Sequence, residues 1–227
     1  MLDYFRNFAS VVATSILILL PGCFAPVNLT HDNAKMLIKN EMKAQAGFSG
    51  YYGPKLDLDD NHILEFPVHY TNNLGVSAAY GLSGTFNLGL RYEYLDIKQQ
   101  HIQILSKSYD MQSSVLHYFE LSGKIGLIED DLALGLPVGL YYWKGKTLTM
   151  IDPRIYYTLR RSNKLEFNAM AKVHILIADG ISLAPGISLG VGLSTDLNRW
   201  ALRPEAGFDG CLSFGFGIDY RFNKPRN

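Results

Sequence analysis

His174, Asp152 and Ser188 are a base, an acid to orient it and a hydroxyl, the three ingredients of acyl transfer. They carry that chemistry only if the fold brings them to one place. A hairpin turning near 180–181 sets His174 close to Ser188. A hairpin centred on Ser162 sets Asp152 opposite Lys172, since both lie ten residues from it. That pairing predicts an Asp152–Lys172 salt bridge, whose plain role is to stabilise the fold. His117, with Ser113 and Ser114 nearby, is the other candidate base. The histidines at 31, 62, 69, 101, 117 and 174 are dispersed without metal-ligand spacing, and no cofactor is expected.

The elements that must position these residues are strands. From 211 to 222 the chain alternates without a slip. Leu212, Phe214, Phe216, Ile218, Tyr220 and Phe222 share one parity, and Ser213, Gly215, Gly217, Asp219 and Arg221 the other. Period-two alternation is the mark of a strand with one apolar face. The same pattern recurs over 41–53, 74–82, 86–94, 114–128, 132–142, 148–160, 164–177, 184–196 and 200–208. Tight turns join most of these segments. Two connections are long, 53–73 and 95–113, and 62–70 reads equally as strand or loop. No helix-length apolar run follows the first 20 residues.

The faces decide the surroundings. The apolar parity carries no Asp, Glu, Lys or Arg through any of these segments, and His117 is its nearest exception. The other parity is built of Gly, Ser and Ala with scattered charge, seven acids against eight bases. A water-facing strand surface rich in Gly would be weak. Small residues instead suit the crowded interior of a narrow barrel. The pattern predicts an all-β fold, an up-and-down antiparallel transmembrane β-barrel of about ten strands, eight being the other possible count. Tyr92, Tyr94, Tyr141, Tyr142, Trp143, Tyr156, Tyr157 and Trp200 lie near strand ends, where interfacial aromatic girdles form. A formal net charge of zero gives no footprint for nucleic acid. Two cysteines, Cys23 and Cys211, are too few for a disulfide framework, and no bridge between them is expected.

The N-terminus reads as an export signal. Arg6 precedes an apolar run over 11–20 that is too short to span a bilayer as a helix. Leu20-Pro21-Gly22-Cys23 resembles the lipobox of bacterial lipoproteins. That resemblance implies lipid attachment at Cys23, and Phe24 after it permits export to the outer membrane. An ordinary signal peptide with an incidental cysteine is the other reading. The chain then divides into a signal peptide (1–22), a lipid-anchored tether (23–40), the barrel (41–222) and a C-terminal overhang (223–227).

As a whole the pattern resembles Gram-negative outer-membrane β-barrel proteins, with a last strand ending Tyr220-Arg221-Phe222. The resemblance implies outer-membrane lipid around the barrel and the barrel-assembly machinery as a partner in biogenesis. It also implies periplasmic N- and C-termini, outward-facing long loops, and a structural or binding role through those loops. A small barrel enzyme acting on lipid acyl chains and a narrow passive channel are the alternatives. The residues name no extracellular ligand.

Overall fold

The computed structural model describes residues 29–53, 69–97, 100–104, 107–111, 114–177, 181–209 and 212–222. Cys23, Cys211, Ser113 and the 223–227 overhang lie outside the described residues. The strands are β1 (Met42–Gly53), β2 (His69–Ser83), β3 (Phe86–Ile97), β4 (Gln100–Ile104), β5 (Lys107–Met111), β6 (Ser114–Ile128) and β7 (Leu132–Trp143). They continue as β8 (Lys146–Ile151), β9 (Arg154–Arg160), β10 (Leu165–Ile177), β11 (Ile181–Leu193), β12 (Trp200–Phe208) and β13 (Leu212–Phe222). No helix occurs among the described residues.

Each barrel strand pairs antiparallel with its neighbours in sequence, and β1 pairs with β13 from Met42–Phe222 to Tyr52–Leu212. The β10–β11 ladder completes the ring, so the sheet has no free edge. β8 and β9 share one place between β7 and β10, which makes this a closed ten-stranded barrel. Pro153, which has no N–H, interrupts that shared strand. The break is bridged by Asp152 N–H donating to the Pro137 carbonyl at 3.0 Å and Val173 N–H to the Pro153 carbonyl at 3.1 Å. β4 and β5 form a separate small hairpin within the connection between β3 and β6.

The strands outrun the expected ones at the end that carries the long connections. β2 starts at His69 and β3 runs to Ile97, so part of each expected loop is strand. The turn between β7 and β8 is built on Lys144 and Gly145, both at positive φ (45° and 78°), the two-residue hairpin geometry that matches strand twist.

Side chains follow the pleat. Most outward positions are apolar and exposed, as with Leu90 (62 %), Leu136 (57 %), Leu189 (62 %) and Phe216 (57 %), and Asn72, Asp96 and His117 are polar exceptions toward the loop-bearing end. Inward positions are buried. Three expected girdle residues are corrected: Tyr141, Trp143 and Tyr156 lie on the inward face, Trp143 packed against the interior cluster around Tyr141, because adjacent residues of a strand cannot share a face. Tyr142 and Tyr157 take the outward places. Tyr141 joins Leu95, Leu116, Tyr118, Met150 and Leu176 in an apolar cluster inside the loop-bearing end. Tyr118 and Tyr141 pack there as a tilted pair with ring centroids 4.7 Å apart.

Of residues 29–40, the described part of the expected tether, 29–37 run inside the barrel and 38–40 are exposed at its end. Leu29, Thr30, His31, Asn33, Ala34, Lys35, Met36 and Leu37 are all buried. At Asn40 (φ 68°) the segment turns into β1, with Asn40 N–H donating to the Gly81 carbonyl at 2.8 Å.

Candidate functional site

The lumen is where the polar chemistry of this chain collects, and the threaded segment is its centre. Inward charges meet it on nearly every side because the pleat sends alternate residues of every strand to one axis. Asp32 sits between two lysines, Lys43 Nζ at 2.5 Å from β1 and Lys124 Nζ at 3.0 Å from β6. The main-chain N–H of His31 donates to Glu205 at 2.6 Å. Asn33 Nδ2 donates to Glu166 at 2.8 Å, and Ala34 N–H to the Thr158 hydroxyl at 2.8 Å. Lys124 and Arg91 donate to the carbonyls of Asn33 and Leu29, at 2.9 Å each. A strand-free backbone in a lumen must be satisfied by side chains. Here the wall supplies them.

Asp32 belongs to this segment and not to a spanning strand. Burial alone would raise its pKa. Lys124 and then Lys43 outweigh that and hold it well below the ordinary 3.8.

The wall is also shaped for the segment. A Cβ on Gly47 would stand 2.6 Å from the His31 ring, and one on Gly217 2.8 Å from His31 Cβ. One on Gly207 would stand 2.8 Å from Leu29, and one on Gly126 2.7 Å from Met36. These distances are too short for real contacts, so a larger side chain displaces the segment. Three cavities beside it are small, about 40, 10 and 10 Å³.

Two further ion clusters brace the wall. Arg203 Nε and Nη1 lie 2.5 Å from Asp219 and 2.5 Å from Glu166. Arg154 lies between Glu120 at 2.7 Å and Asp152 at 2.5 Å. This second cluster continues through His174, whose Nδ1 faces Asp152 at 3.3 Å and whose Nε2 faces Asp209 at 3.6 Å. It ends at Lys172 Nζ, 2.6 Å from Asp209.

The expected Asp152–Lys172 pair is therefore re-partnered. The β9–β10 register places Lys172 opposite Arg154, centring the hairpin on Asn163 instead of Ser162. Each residue stays in the lumen, and the partners change. Asp152 and His174 do come together. Ser188 does not join them: it faces Met170, whereas His174 faces Ala184. The four-residue offset amounts to about 13 Å along the strand. Ser188 donates instead to Glu205. His174 is fully buried and presents each ring nitrogen to a carboxylate, so neither nitrogen is directed at a serine hydroxyl. His117 stays on the outward face, hydrogen-bonded through Nδ1 to the Tyr92 hydroxyl at 2.9 Å and edge-on to Tyr94. Accordingly, His174→Ala is expected to leave the acyl composition of lipid extracted from expressing cells unchanged, as mass spectrometry would read it.

Reasoning from sequence missed the group around Asp32. Its one signal was the run of inward glycines at 47, 126, 207 and 217. Glycines facing a crowded lumen mark where another backbone approaches closely.

No protein-family model and no curated protein matches the sequence. Among solved structures, the chain is similar to the β domain of the Bordetella autotransporter BrkA (TM-score 0.47, 13% identity, 81% of this chain and 99% of that one). It is also similar to an outer-membrane channel from Pseudomonas putida F1 (TM-score 0.46, 9% identity, 86% and 100%). A third is the KdgM porin (TM-score 0.41, 13% identity, 81% and 99%).

Proposed function

We propose that this chain is an outer-membrane β-barrel protein whose lumen is filled by its own N-terminal segment, with a structural or binding role carried by its long connections. The observation that carries this reading is the contrast between its two faces. A broad apolar surface surrounds a closed ring, and nearly all the strand charges lie inside. Soluble monomers rarely expose apolar patches beyond a few hundred Å². A closed barrel leaves no unpaired strand edge, as a lipid surrounding demands. From Leu212 to Phe222 the outward face of β13 runs about 34 Å along the strand, or roughly 26 Å of height at the usual ~40° tilt. That matches the apolar band of such barrels.

In this reading outer-membrane lipid is the partner of the outward face, and the barrel-assembly machinery reads β13, which ends in Phe222. The long connections face outward and the C-terminus is periplasmic. The export signal and lipobox at Leu20–Cys23 complete it, with Cys23 as the lipid attachment residue. The packed lumen weighs against a passive channel, and the separation of Ser188 from His174 weighs against acyl chemistry.

The test is electrophoresis of envelope fractions with and without boiling. The protein is expected in the outer-membrane fraction, with a faster band unboiled than boiled. Recovery from the soluble periplasm would overturn the reading.

A further inference from the structure

The end of the barrel that carries the short turns is divided by charge. The β6–β7 turn holds Glu129, Asp130 and Asp131 and no base. The next two turns round the ring are 161–164, between β9 and β10, and 194–199, between β11 and β12. They hold Arg161, Lys164 and Arg199 against Asp196. We infer that these two turns form one binding site for the phosphate headgroup of an anionic phospholipid, on a single sector of the rim. The inference rests on the outer-membrane reading for the presence of lipid around the barrel.

The two turns are joined into one platform. Ser194 N–H donates to the Lys164 carbonyl and Leu197 N–H to the Asn163 carbonyl, at 3.0 Å each. The Leu197 side chain is buried. Asn198 Oδ1 accepts from Lys35 Nζ at 2.6 Å and from Arg160 Nη2 at 3.4 Å. Arg160 also donates to the Ser162 carbonyl and to Asn163 Oδ1, so its charge is used to hold the turns together. Arg161 and Lys164 are exposed, and no hydrogen bond or ion pair holds their side chains among the described residues. Asp196 is the one acid of the two turns, and its Oδ1 accepts from Asn198 N–H at 3.0 Å. With Arg199, which is also exposed, the platform offers more positive charge than it can neutralise itself.

Its height on the barrel fits a headgroup. Arg199 Nε donates to the Tyr220 hydroxyl at 3.2 Å, and the guanidinium lies 5.9 Å from the centre of that ring. Trp200 Nε1 donates to the Thr195 hydroxyl at 3.2 Å. An aromatic body on the outward face with its polar tip bonded to a turn marks the water boundary of the apolar band. Leu159, Leu193 and Leu202 of the adjoining strands are exposed on that band. A cation at this level meets lipid phosphate while the leucines meet acyl chains. The arginines bring planar forks that match phosphate oxygens, and Lys164 brings a point charge. The acids at 129–131 repel a large polyanion covering the whole end. A single headgroup, confined to the basic sector, avoids them.

The experiment uses the full chain folded into phosphatidylcholine vesicles, with Trp143→Phe so that Trp200 is the sole tryptophan. Brominated phosphatidylglycerol or brominated phosphatidylcholine is included at equal mole fraction, and quenching of Trp200 reports which lipid lies beside the platform. The expected result is a preference of about three-fold or more for the anionic lipid, weakened by salt. It is expected to fall to parity in Arg161→Gln/Lys164→Gln/Arg199→Gln. Arg161→Gln/Lys164→Gln touches no internal side-chain bond, and is expected to remove about half of the preference or more even if loss of the Arg199–Tyr220 bond impairs folding of the triple variant. Lys144→Gln/Lys146→Gln lowers net charge at the opposite end and is expected to leave the preference in place. Equal quenching by the two lipids overturns the inference. So does a preference that survives loss of Arg161 and Lys164, or one that the Lys144 and Lys146 changes remove as fully. Absence of both the gel mobility shift and quenching by either lipid would instead sink the outer-membrane reading.

Discussion

A barrel carrying Asp32→Ala is expected to lose about 3 kcal/mol or more of stability, because two lysines are left buried without their shared carboxylate. Lys43 and Lys124 reach Asp32 from β1 and β6, on different sides of the lumen, at 2.5 and 3.0 Å. With the carboxylate gone they repel each other across the space it filled. The segment loses its strongest hold, and the main-chain bonds at His31 and Ala34 remain to keep it in place. Urea titration of the gel mobility shift would read the stability. Proteolysis of the folded protein would read the segment, with faster clipping near 29–40. Replacing all three groups by apolar ones, as Asp32→Leu with Lys43→Met and Lys124→Met, is expected to recover most of the loss, since no charge is then stranded. A triple variant as unstable as Asp32→Ala would assign the loss to shape and not to charge. The same pair gives a pH dependence. Asp32 titrates lower in the folded barrel than the 3.8 of an ordinary aspartate, so its contribution is fully present above that value. It is lost as pH falls from there through the folded value.

The second large effect is expected at Arg154. It is buried between Glu120 and Asp152, and it accepts no substitute of the same geometry. Arg154→Met leaves two carboxylates facing each other in the lumen and is expected to cost about 3–5 kcal/mol. Arg154→Lys keeps the charge and loses the fork that holds both partners, so a smaller loss is expected. The same urea titration distinguishes them. Equal losses for Met and Lys would show that the planar fork, and not the charge, carries the contribution.

How much of this was legible in the sequence depends on which residues had a period. Alternation was sufficient for the strands, for their lipid-like and lumen faces, and for the ten-strand count, since every slip of one residue would expose charge outward. It also placed Asp152, Lys172 and His174 in the lumen. It did not fix their pairing, because a hairpin centre displaced from Ser162 to Asn163 preserves parity and changes every partner. Leu95, Leu116 and Tyr118 were opaque for another reason: an inward apolar residue breaks the expected contrast of the two faces and reads as noise. The segment from 29 to 40 has no period at all. Its conformation is imposed by the wall, through Glu205, Glu166, Thr158, Lys43 and Lys124, which lie far from it in sequence. Only the glycines that make room for it were visible, and they read equally well as crowding among wall side chains.

The short turn that joins the threaded segment to β1 also bears on how the barrel is made. β1 is one half of the β1–β13 pairing, which joins residues about 170 apart in the chain. Contacts of such separation form late and slowly. Asn40 and Glu41 anchor the end of the segment beside β1 through bonds to Gly81 of β2, so closing the last ladder is expected to enclose the segment as well. Sealing of the β1–β13 seam around a chain already in place is therefore the expected slow step of folding, and protection of the segment from protease is expected to arise together with the gel mobility shift.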